Sequence, residues 1–163
     1  MSKIVPPVSD TRVCEHRHTR RVQFYETDAA GVVHFSVYFR YMEEAEHALW
    51  RAAGLSIHGR SSEVGWPRVH ASFGYHRALR FEEEFEAWIR IVAIDERTIS
   101  YTCLLSRDGA RIATGQVKVA CVTRGPAETW RGVAIPPEIR ARFEVAPAEA
   151  VTPASGPGGA VRP

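Results

Sequence analysis

The sequence has little of three things: long apolar runs, cysteine and net charge. No apolar run approaches the roughly 20 residues that a bilayer-spanning helix needs, and the first residues, MSKIVPP, lack the apolar core of a secretion signal. The three cysteines, Cys14, Cys103 and Cys121, are an odd number at distant spacings, which fits neither a disulfide framework nor a zinc site. We therefore expect a cytoplasmic protein with no membrane partner and no bound metal.

The charge balance is close to neutral. Lys and Arg together number 21 against 19 Asp and Glu, which leaves a formal net charge of +2. Nucleic-acid binding normally shows as a clustered basic face, so we expect no nucleic-acid partner. The 163 residues, of which 45% are hydrophobic, are enough for one domain with its own core and exclude a wholly disordered chain.

The two ends of the chain differ in composition from the middle. Residues 146–163 read APAEAVTPASGPGGAVRP, a segment built largely of Ala, Pro and Gly with no aromatic side chain. Such a segment buries too little apolar surface to offset the entropy that it loses on ordering. We predict a disordered tail over 146–163, a flexible N-terminus over 1–12 and one folded domain over 13–145.

One segment has a clear helical period. In residues 36–53 the apolar side chains recur at intervals of three and four, which predicts a helix with one buried face. Charged residues, Glu43 and Glu46 among them, fill the other face. Ser36 is an acceptable N-cap, and Gly54 stands where a helix ends in a left-handed residue.

The remaining segments alternate in polarity or carry turn signals, as strands do. We predict strands over residues 22–25, 66–76, 85–94, 98–106 and 111–123. The Asp108-Gly109 pair between the last two predicts a tight hairpin, and Pro136-Pro137 begins a short closing helix. The order is one strand, a long helix and then four strands as a meander. It predicts an α+β fold in which an antiparallel sheet of about five strands covers one long helix.

The segment that carries candidate catalytic residues is RVQFYETDAAGVVHFSVYFRYMEEA, residues 21–45. It places Asp28 a few residues before the N-terminus of the predicted helix, where unpaired N–H groups and the positive end of the helix dipole lie. A carboxylate at such a place can attack a carbonyl or activate a water while the N–H groups polarise that carbonyl. Taken alone, an Asp in a Gly-containing loop is more often a turn or cap residue.

Residues 21–45 resemble the signature of the 4-hydroxybenzoyl-CoA thioesterase family of hotdog-fold acyl-CoA thioesterases. The matching elements are an aromatic and acidic lead-in, a D-x-x-G-V-V step and a tyrosine that opens an acid-rich helix, here Tyr25-Glu26, residues 28–33 and Tyr38. The GWPRV stretch at 65–69 and YHRALRFEEEF at 75–85 are also similar to family segments. The similarity covers roughly residues 20–143.

The resemblance implies a hotdog fold and the hydrolysis of an acyl-CoA to a carboxylic acid and CoA. Asp28 then occupies the position of the catalytic carboxylate, as nucleophile or general base, and the backbone N–H of Phe35 points at the thioester oxygen. Gly31 keeps the loop tight. Tyr38 either contacts the substrate or belongs to the core. His34 either donates to the thioester or orients Asp28, or it only packs near the helix start.

The resemblance also implies partners. The family needs no cofactor, since CoA is part of the substrate, and its site lies between subunits, so we expect a homodimer or a homotetramer. Arg97, Lys118 and Arg77 are candidate contacts for the CoA phosphates, although each is more often an ordinary surface charge. The chain departs from the family at Val37, where many relatives carry Asn, and at residues 78–79, which leaves the acyl group open.

Two other functions remain open. Hotdog hydratases and dehydratases usually pair a loop Asp with a His a few residues later, and Asp28 and His34 are compatible with that arrangement. A non-catalytic acyl-CoA-binding sensor is the second, but it would normally carry a DNA-binding segment of a length and basic periodicity that neither terminus has. We expect hydrolysis because the D-x-x-G-V-V step is followed by a long acidic helix.

Overall fold

The structure is a computed structural model that describes residues 11–58, 63–125 and 129–148. Within these ranges the chain forms two helices, eight strands and one 3-10 turn: β1 (Glu15–Arg21), the turn (Phe24–Glu26), α1 (Val37–Ala52), β2 (Val64–Gly65), β3 (Arg68–Tyr75), β4 (Glu84–Ile94), β5 (Thr98–Arg107), β6 (Ala110–Ala120), β7 (Val122–Arg124), β8 (Trp130–Gly132) and α2 (Pro137–Arg140). Neither helix is long and apolar enough to cross a membrane.

Five of the strands form one antiparallel sheet in the order β1-β4-β5-β6-β3. The predicted antiparallel sheet with one main helix is therefore confirmed. The predicted four-strand meander is wrong, because β3 pairs with β6 at the far edge of the sheet, with Tyr75 opposite Ala113. The turn at Asp108 and Gly109, both with positive φ, joins β5 to β6 directly. The segment 76–83, by contrast, carries the chain from one edge of the sheet to β4.

Helix α1 forms and ends as its sequence predicts, and it packs on the sheet with contacts to β1, β3 and β4. Its apolar stripe is buried in the core, and Trp50 donates a hydrogen bond from its indole N–H to the hydroxyl oxygen of Tyr101 on β5. Gly54 follows the helix with φ of 74°. One residue departs from the prediction: Glu46, placed on the polar face by periodicity, is fully buried, because β3 covers that side of the helix and supplies Arg68 as its partner.

The first strand lies earlier than predicted. Residues 22–25 are not a strand; β1 is Glu15–Arg21, with the sequence EHRHTRR, and pairs with β4 along its whole length. An edge strand of charged residues gives no hydrophobic alternation to read. Its side chains are held instead by ion pairs across the ladder, such as that between Arg21 and Glu84. Val22, fully buried, ends the strand where the chain turns into the core.

The segment predicted as a disordered tail begins with bonded residues. The N–H of Ala146 donates to the carbonyl of Ile91 over 2.8 Å, and the Arg90 guanidinium donates to the carbonyl of Pro147 over 2.8 Å. These contacts fasten the chain to β4, so the predicted boundary at 145 is too early by at least two residues. Residues 1–10 and 149–163, on which the other terminal predictions fall, lie outside the described residues.

Candidate active site

The segment that carries Asp28 is a small antiparallel ladder between β1 and α1. The N–H of Asp28 donates to the carbonyl of Val32 over 2.8 Å, and the N–H of His34 donates to the carbonyl of Glu26 over 2.9 Å. Gly31 closes the turn with φ of 75° and an N–H that donates to the carbonyl of Asp28 over 3.0 Å. Because L residues rarely adopt that φ, the tight turn requires glycine here.

The two oxygens of the Asp28 carboxylate have different surroundings. Oδ1 accepts hydrogen bonds from the backbone N–H groups of Ala30, over 2.8 Å, and Val32, over 3.4 Å. Among the residues that the structure describes, none donates to Oδ2. The side chain is half-buried. The turn therefore fixes the orientation of the carboxylate and leaves one oxygen available to a ligand.

The start of α1 lies directly after this ladder. The helix begins at Val37, so Phe35 stands one residue before the N-cap, Ser36, and ahead of the first helical turn. No described residue accepts a hydrogen bond from the N–H of Phe35. Its carbonyl oxygen is held by the hydroxyl of Tyr75 over 2.9 Å. Phe35 thus offers an unpaired N–H from a fixed backbone position.

His34 faces the helix start. Its Nδ1 lies 2.8 Å from the hydroxyl of Ser36, and its ring packs on Phe35 at 4.4 Å between centroids. The structure shows no hydrogen bond between His34 and Asp28. The packing at the helix start is therefore visible in the structure, and a direct role of His34 toward a thioester stays a prediction.

Glu26 is a buried carboxylate beside the loop, and its place in the acidic lead-in of the motif gave no indication of that burial. It is 4% exposed and accepts hydrogen bonds from the Tyr41 hydroxyl over 2.8 Å, from the Gln23 N–H over 2.7 Å and from Arg20 over 2.6 and 3.1 Å. The signal available in the sequence was its position two residues before Asp28. An acid in a polar loop looks solvent-exposed until the packing of β1 and α1 is known.

Aromatic side chains continue from the helix start into a groove between α1 and β3. Tyr38 is 3% exposed and packs against Tyr75 at 5.1 Å and Phe73 at 5.9 Å between ring centroids. Burial raises the pKa of the Tyr38 hydroxyl. Beyond these rings lies a cavity of about 240 Å³, which we call the α1–β3 groove; its lining residues are Phe39, Arg40, Met42, Glu43, Glu46, Arg68, Ala71 and Val117.

The far end of the α1–β3 groove holds a second buried acid. Glu46 pairs through Oε2 with Arg68, which also lies 3.3 Å from Glu43. Oε1 of Glu46 is buried and has no hydrogen-bond partner in the described part of the chain. Burial, assisted by the negative charge of Glu43 and opposed by Arg68, raises the pKa of Glu46 to about 7.

The candidate phosphate contacts lie away from the loop. Arg97 stands in the turn after the C-terminal end of β4, before β5. The N-terminal end of β4 is the one near the loop, because Glu83 directly before it accepts the N–H of Val22. The 11 residues of β4 separate these ends by about 35 Å. Lys118 lies 3.8 Å from Asp95 in that distant turn. The structure therefore does not bring Arg97 and Lys118 to Asp28 within one chain, while Arg77 is an exposed residue after β3.

Cys103 and Cys121 are both buried. Burial raises the pKa of the Cys103 thiol to about 12, and burial also raises that of Cys121. Neither is a reactive thiolate at neutral pH. In the ranges given above, no group of three or more His, Cys, Asp or Glu side chains is arranged to hold a metal ion.

One main helix on an antiparallel sheet is the hotdog arrangement, and this chain is a thioester hydrolase. It belongs to the thioesterase-like superfamily, whose family profile matches residues 22–143. The chain is 32% identical to a putative esterase of Aquifex aeolicus over 124 residues, 75% of this chain and 92% of that protein.

Two further relatives have named substrates. A 1,4-dihydroxy-2-naphthoyl-CoA hydrolase of Synechococcus elongatus is 27% identical over 113 residues, 68% of this chain and 83% of that protein. The solved structure of a gentisyl-coenzyme A thioesterase is 26% identical, superposes with a TM-score of 0.65, and covers 78% of this chain and 98% of its own. These names describe what the relatives act on.

Proposed function

We propose that this protein hydrolyses an acyl-CoA thioester at the loop before α1, with Asp28 as the reacting carboxylate. The observation that carries the proposal is the geometry of Asp28 and Phe35: one carboxylate oxygen is fixed by the turn, the other is free, and an unpaired N–H lies at the helix start. This is the pairing that ester and thioester hydrolysis needs. The narrower resemblance to the 4-hydroxybenzoyl-CoA thioesterases supports the same positions.

The reaction runs by one of two routes that the same residues serve. As a nucleophile, Oδ2 of Asp28 bonds to the thioester carbon, the carbon–sulfur bond breaks, CoA leaves as thiolate, and water then cleaves the resulting anhydride. As a general base, Asp28 takes a proton from the water whose oxygen bonds to the same carbon, the carbon–sulfur bond breaks, and CoA leaves as thiolate from the carboxylic acid. In both routes the Phe35 N–H donates to the oxygen that becomes negative.

We further propose that the acyl group is a hydroxylated aromatic one and lies in the α1–β3 groove. Support comes from the two named relatives, which act on dihydroxynaphthoyl and gentisyl thioesters. Phe39, whose ring lines the groove and packs edge-on against Phe73 at 5.2 Å between centroids, offers an aromatic surface there.

A second copy of the chain completes the site in this proposal. β3 is an edge strand of the described sheet, and it carries exposed apolar side chains, Val69 at 58% and Tyr75 at 46%. An uncovered strand edge favours pairing with another strand. A homodimer or homotetramer would cover β3 and close the α1–β3 groove, and it would bring a partner's basic side chains toward the CoA phosphates.

The experiment measures free CoA released from aromatic, short aliphatic and long aliphatic acyl-CoAs by the wild type and Asp28→Asn. Asn keeps an oxygen that accepts from Ala30 and Val32, so the turn is retained and only the charge is lost. The matched control is Asp108→Asn in the exposed β5–β6 turn. Hydroxyaroyl-CoA should be the best substrate. Undiminished release by Asp28→Asn would overturn the assignment, and hydration of an enoyl-CoA without CoA release would favour a hydratase.

A further inference from the structure

The carboxylate of Glu26 joins three parts of the molecule at one point. Arg20 donates to it from β1, Tyr41 donates to it from α1, and the Gln23 N–H donates to it from the turn that leads to the loop. Both oxygens accept at least one hydrogen bond, and the residue is 4% exposed. Neither the proposed reaction nor the family resemblance gives this side chain a task.

Arg20 ties the same point to a second acid on the helix. Its Nε lies 2.7 Å from Glu44, and its guanidinium lies 5.0 Å from the centre of the Tyr41 ring. Burial lowers the pKa of Arg20, but its bonds to Glu44 and Glu26 outweigh that effect and raise the pKa overall. The arginine is therefore a permanent cation that clamps β1 to α1 through two carboxylates.

The backbone of Glu26 lies close in the chain to Asp28 and is hydrogen-bonded to the residue before Phe35. Its carbonyl accepts the N–H of His34 over 2.9 Å, and His34 directly precedes Phe35. Asp28 follows Glu26 by two residues on the same strand of the ladder, opposite the strand that carries Val32 and His34. Because one residue holds the incoming strand and the helix start together, its placement sets the separation between the Asp28 carboxylate and the Phe35 N–H.

We propose that Glu26 is a positioning residue for hydrolysis: its buried carboxylate, clamped by Arg20 and Tyr41, holds the Asp28 turn in register with the start of α1. This inference rests on the proposed role of Asp28. Glu26 does not act on the substrate itself, since donors within the protein occupy both of its oxygens. Displacing reacting groups by about 1 Å can lower a rate about 100-fold, so a side chain outside the reaction can control the rate.

The test compares kcat and KM of Glu26→Gln with those of the wild type, on whichever acyl-CoA the wild type hydrolyses best. Gln preserves the shape of the side chain but replaces one oxygen by an NH₂ group, which faces the donors of Arg20, Tyr41 and Gln23. At least one of these hydrogen bonds is therefore lost, and the turn is held less firmly to α1. We expect kcat to fall about 10-fold or more, KM to change less than about threefold, and the pH dependence of kcat to keep its shape. Tyr41→Phe, which removes one donor and leaves the Arg20 pair, should lower kcat less and serves if Glu26→Gln does not fold.

The matched control is Glu86→Gln, which breaks an exposed glutamate–arginine pair between β1 and β4 without touching the loop. Its kcat should equal that of the wild type. A folded Glu26→Gln with kcat within twofold of wild type would overturn the proposal, as would loss of a limb from its pH profile, which would make Glu26 a reacting group. Asp28→Asn is assayed alongside: if it keeps full activity, the proposed function fails, whereas loss there with none in Glu26→Gln removes only this inference.

Discussion

Two buried glutamates, one paired with an arginine of β1 and the other with an arginine of β3 at the opposite edge of the sheet, have opposite surroundings. Glu26, beside the Asp28 turn, receives hydrogen bonds on both oxygens from three residues. Glu46, at the far end of the α1–β3 groove, has one arginine partner and one oxygen with none, and its pKa is raised to about 7 by burial. A fully bonded buried carboxylate anchors structure, whereas a half-bonded one strains it when charged. The fully bonded glutamate is the one that lies beside the proposed reacting groups, Asp28 and the Phe35 N–H.

The largest expected effect removes the anchor itself. Glu26→Ala leaves Arg20 partly buried with Glu44 alone and takes the acceptor from Tyr41 and Gln23. Breaking a buried pair in this way typically lowers the free energy of unfolding by about 4 kcal/mol, which urea denaturation would measure. Glu86→Ala, whose partner Arg17 is exposed, should lower it by less than about 1 kcal/mol. Equal losses in the two variants would contradict the distinction.

The second prediction concerns pH and the other glutamate. The pKa of Glu46 in the folded protein, about 7, lies above its ordinary value of 4.5, so the folded state binds more protons than the unfolded state between those values. The contribution of this group to the free energy of unfolding therefore falls by about 3 kcal/mol as pH rises from about 4.5 to 7. Above pH 7 it stays level.

Denaturation of the wild type and Glu46→Gln between pH 4.5 and 8 would measure this effect as a difference. The groups packed around Glu46 are Arg68, Glu43 and Tyr101, and His47 titrates nearby with a pKa lowered by burial. These groups are present in both proteins, so the difference between the two curves isolates Glu46. The variant should gain stability relative to wild type as pH rises, and parallel curves would contradict the account.

The smallest expected effect comes from a substitution on β6, at Gly115. A Cβ added at Gly115 on β6 would approach Phe73 to 2.6 Å and Met42, which lines the groove, to 2.9 Å. Overpacking of this kind lowers stability by about 2 kcal/mol, which a melting curve would show. At Gly74 on β3 an added Cβ meets only the carbonyl of Thr114 at 4.0 Å, so Gly74→Ala is the control and should be close to neutral. A melting temperature that changes as little in Gly115→Ala as in Gly74→Ala would show that the side chains of Phe73 and Met42 move aside without cost, which would contradict this prediction.

Local patterns predicted the parts of the fold that local forces determine. The apolar stripe located α1, and Asp108-Gly109 located the β5–β6 turn. The charged strand β1 and the pairing of β3 with β6 escaped prediction, because a ladder between distant segments leaves no periodic signal in either one. The site followed the same division. Asp28, Gly31 and the neighbourhood of Phe35 lie in one contiguous stretch, whereas the burial of Glu26 and Glu46 depends on strands far away in the chain.

The measurement that tests the central claim most directly is the rate of CoA release from a hydroxyaroyl-CoA by Asp28→Asn, with a melting curve on the same sample. Because the Asn oxygen preserves the turn, the melting temperature should match that of the wild type while kcat falls at least about 100-fold, the scale of losing a reacting acid or base. A folded variant that releases CoA within twofold of the wild-type rate would contradict the account.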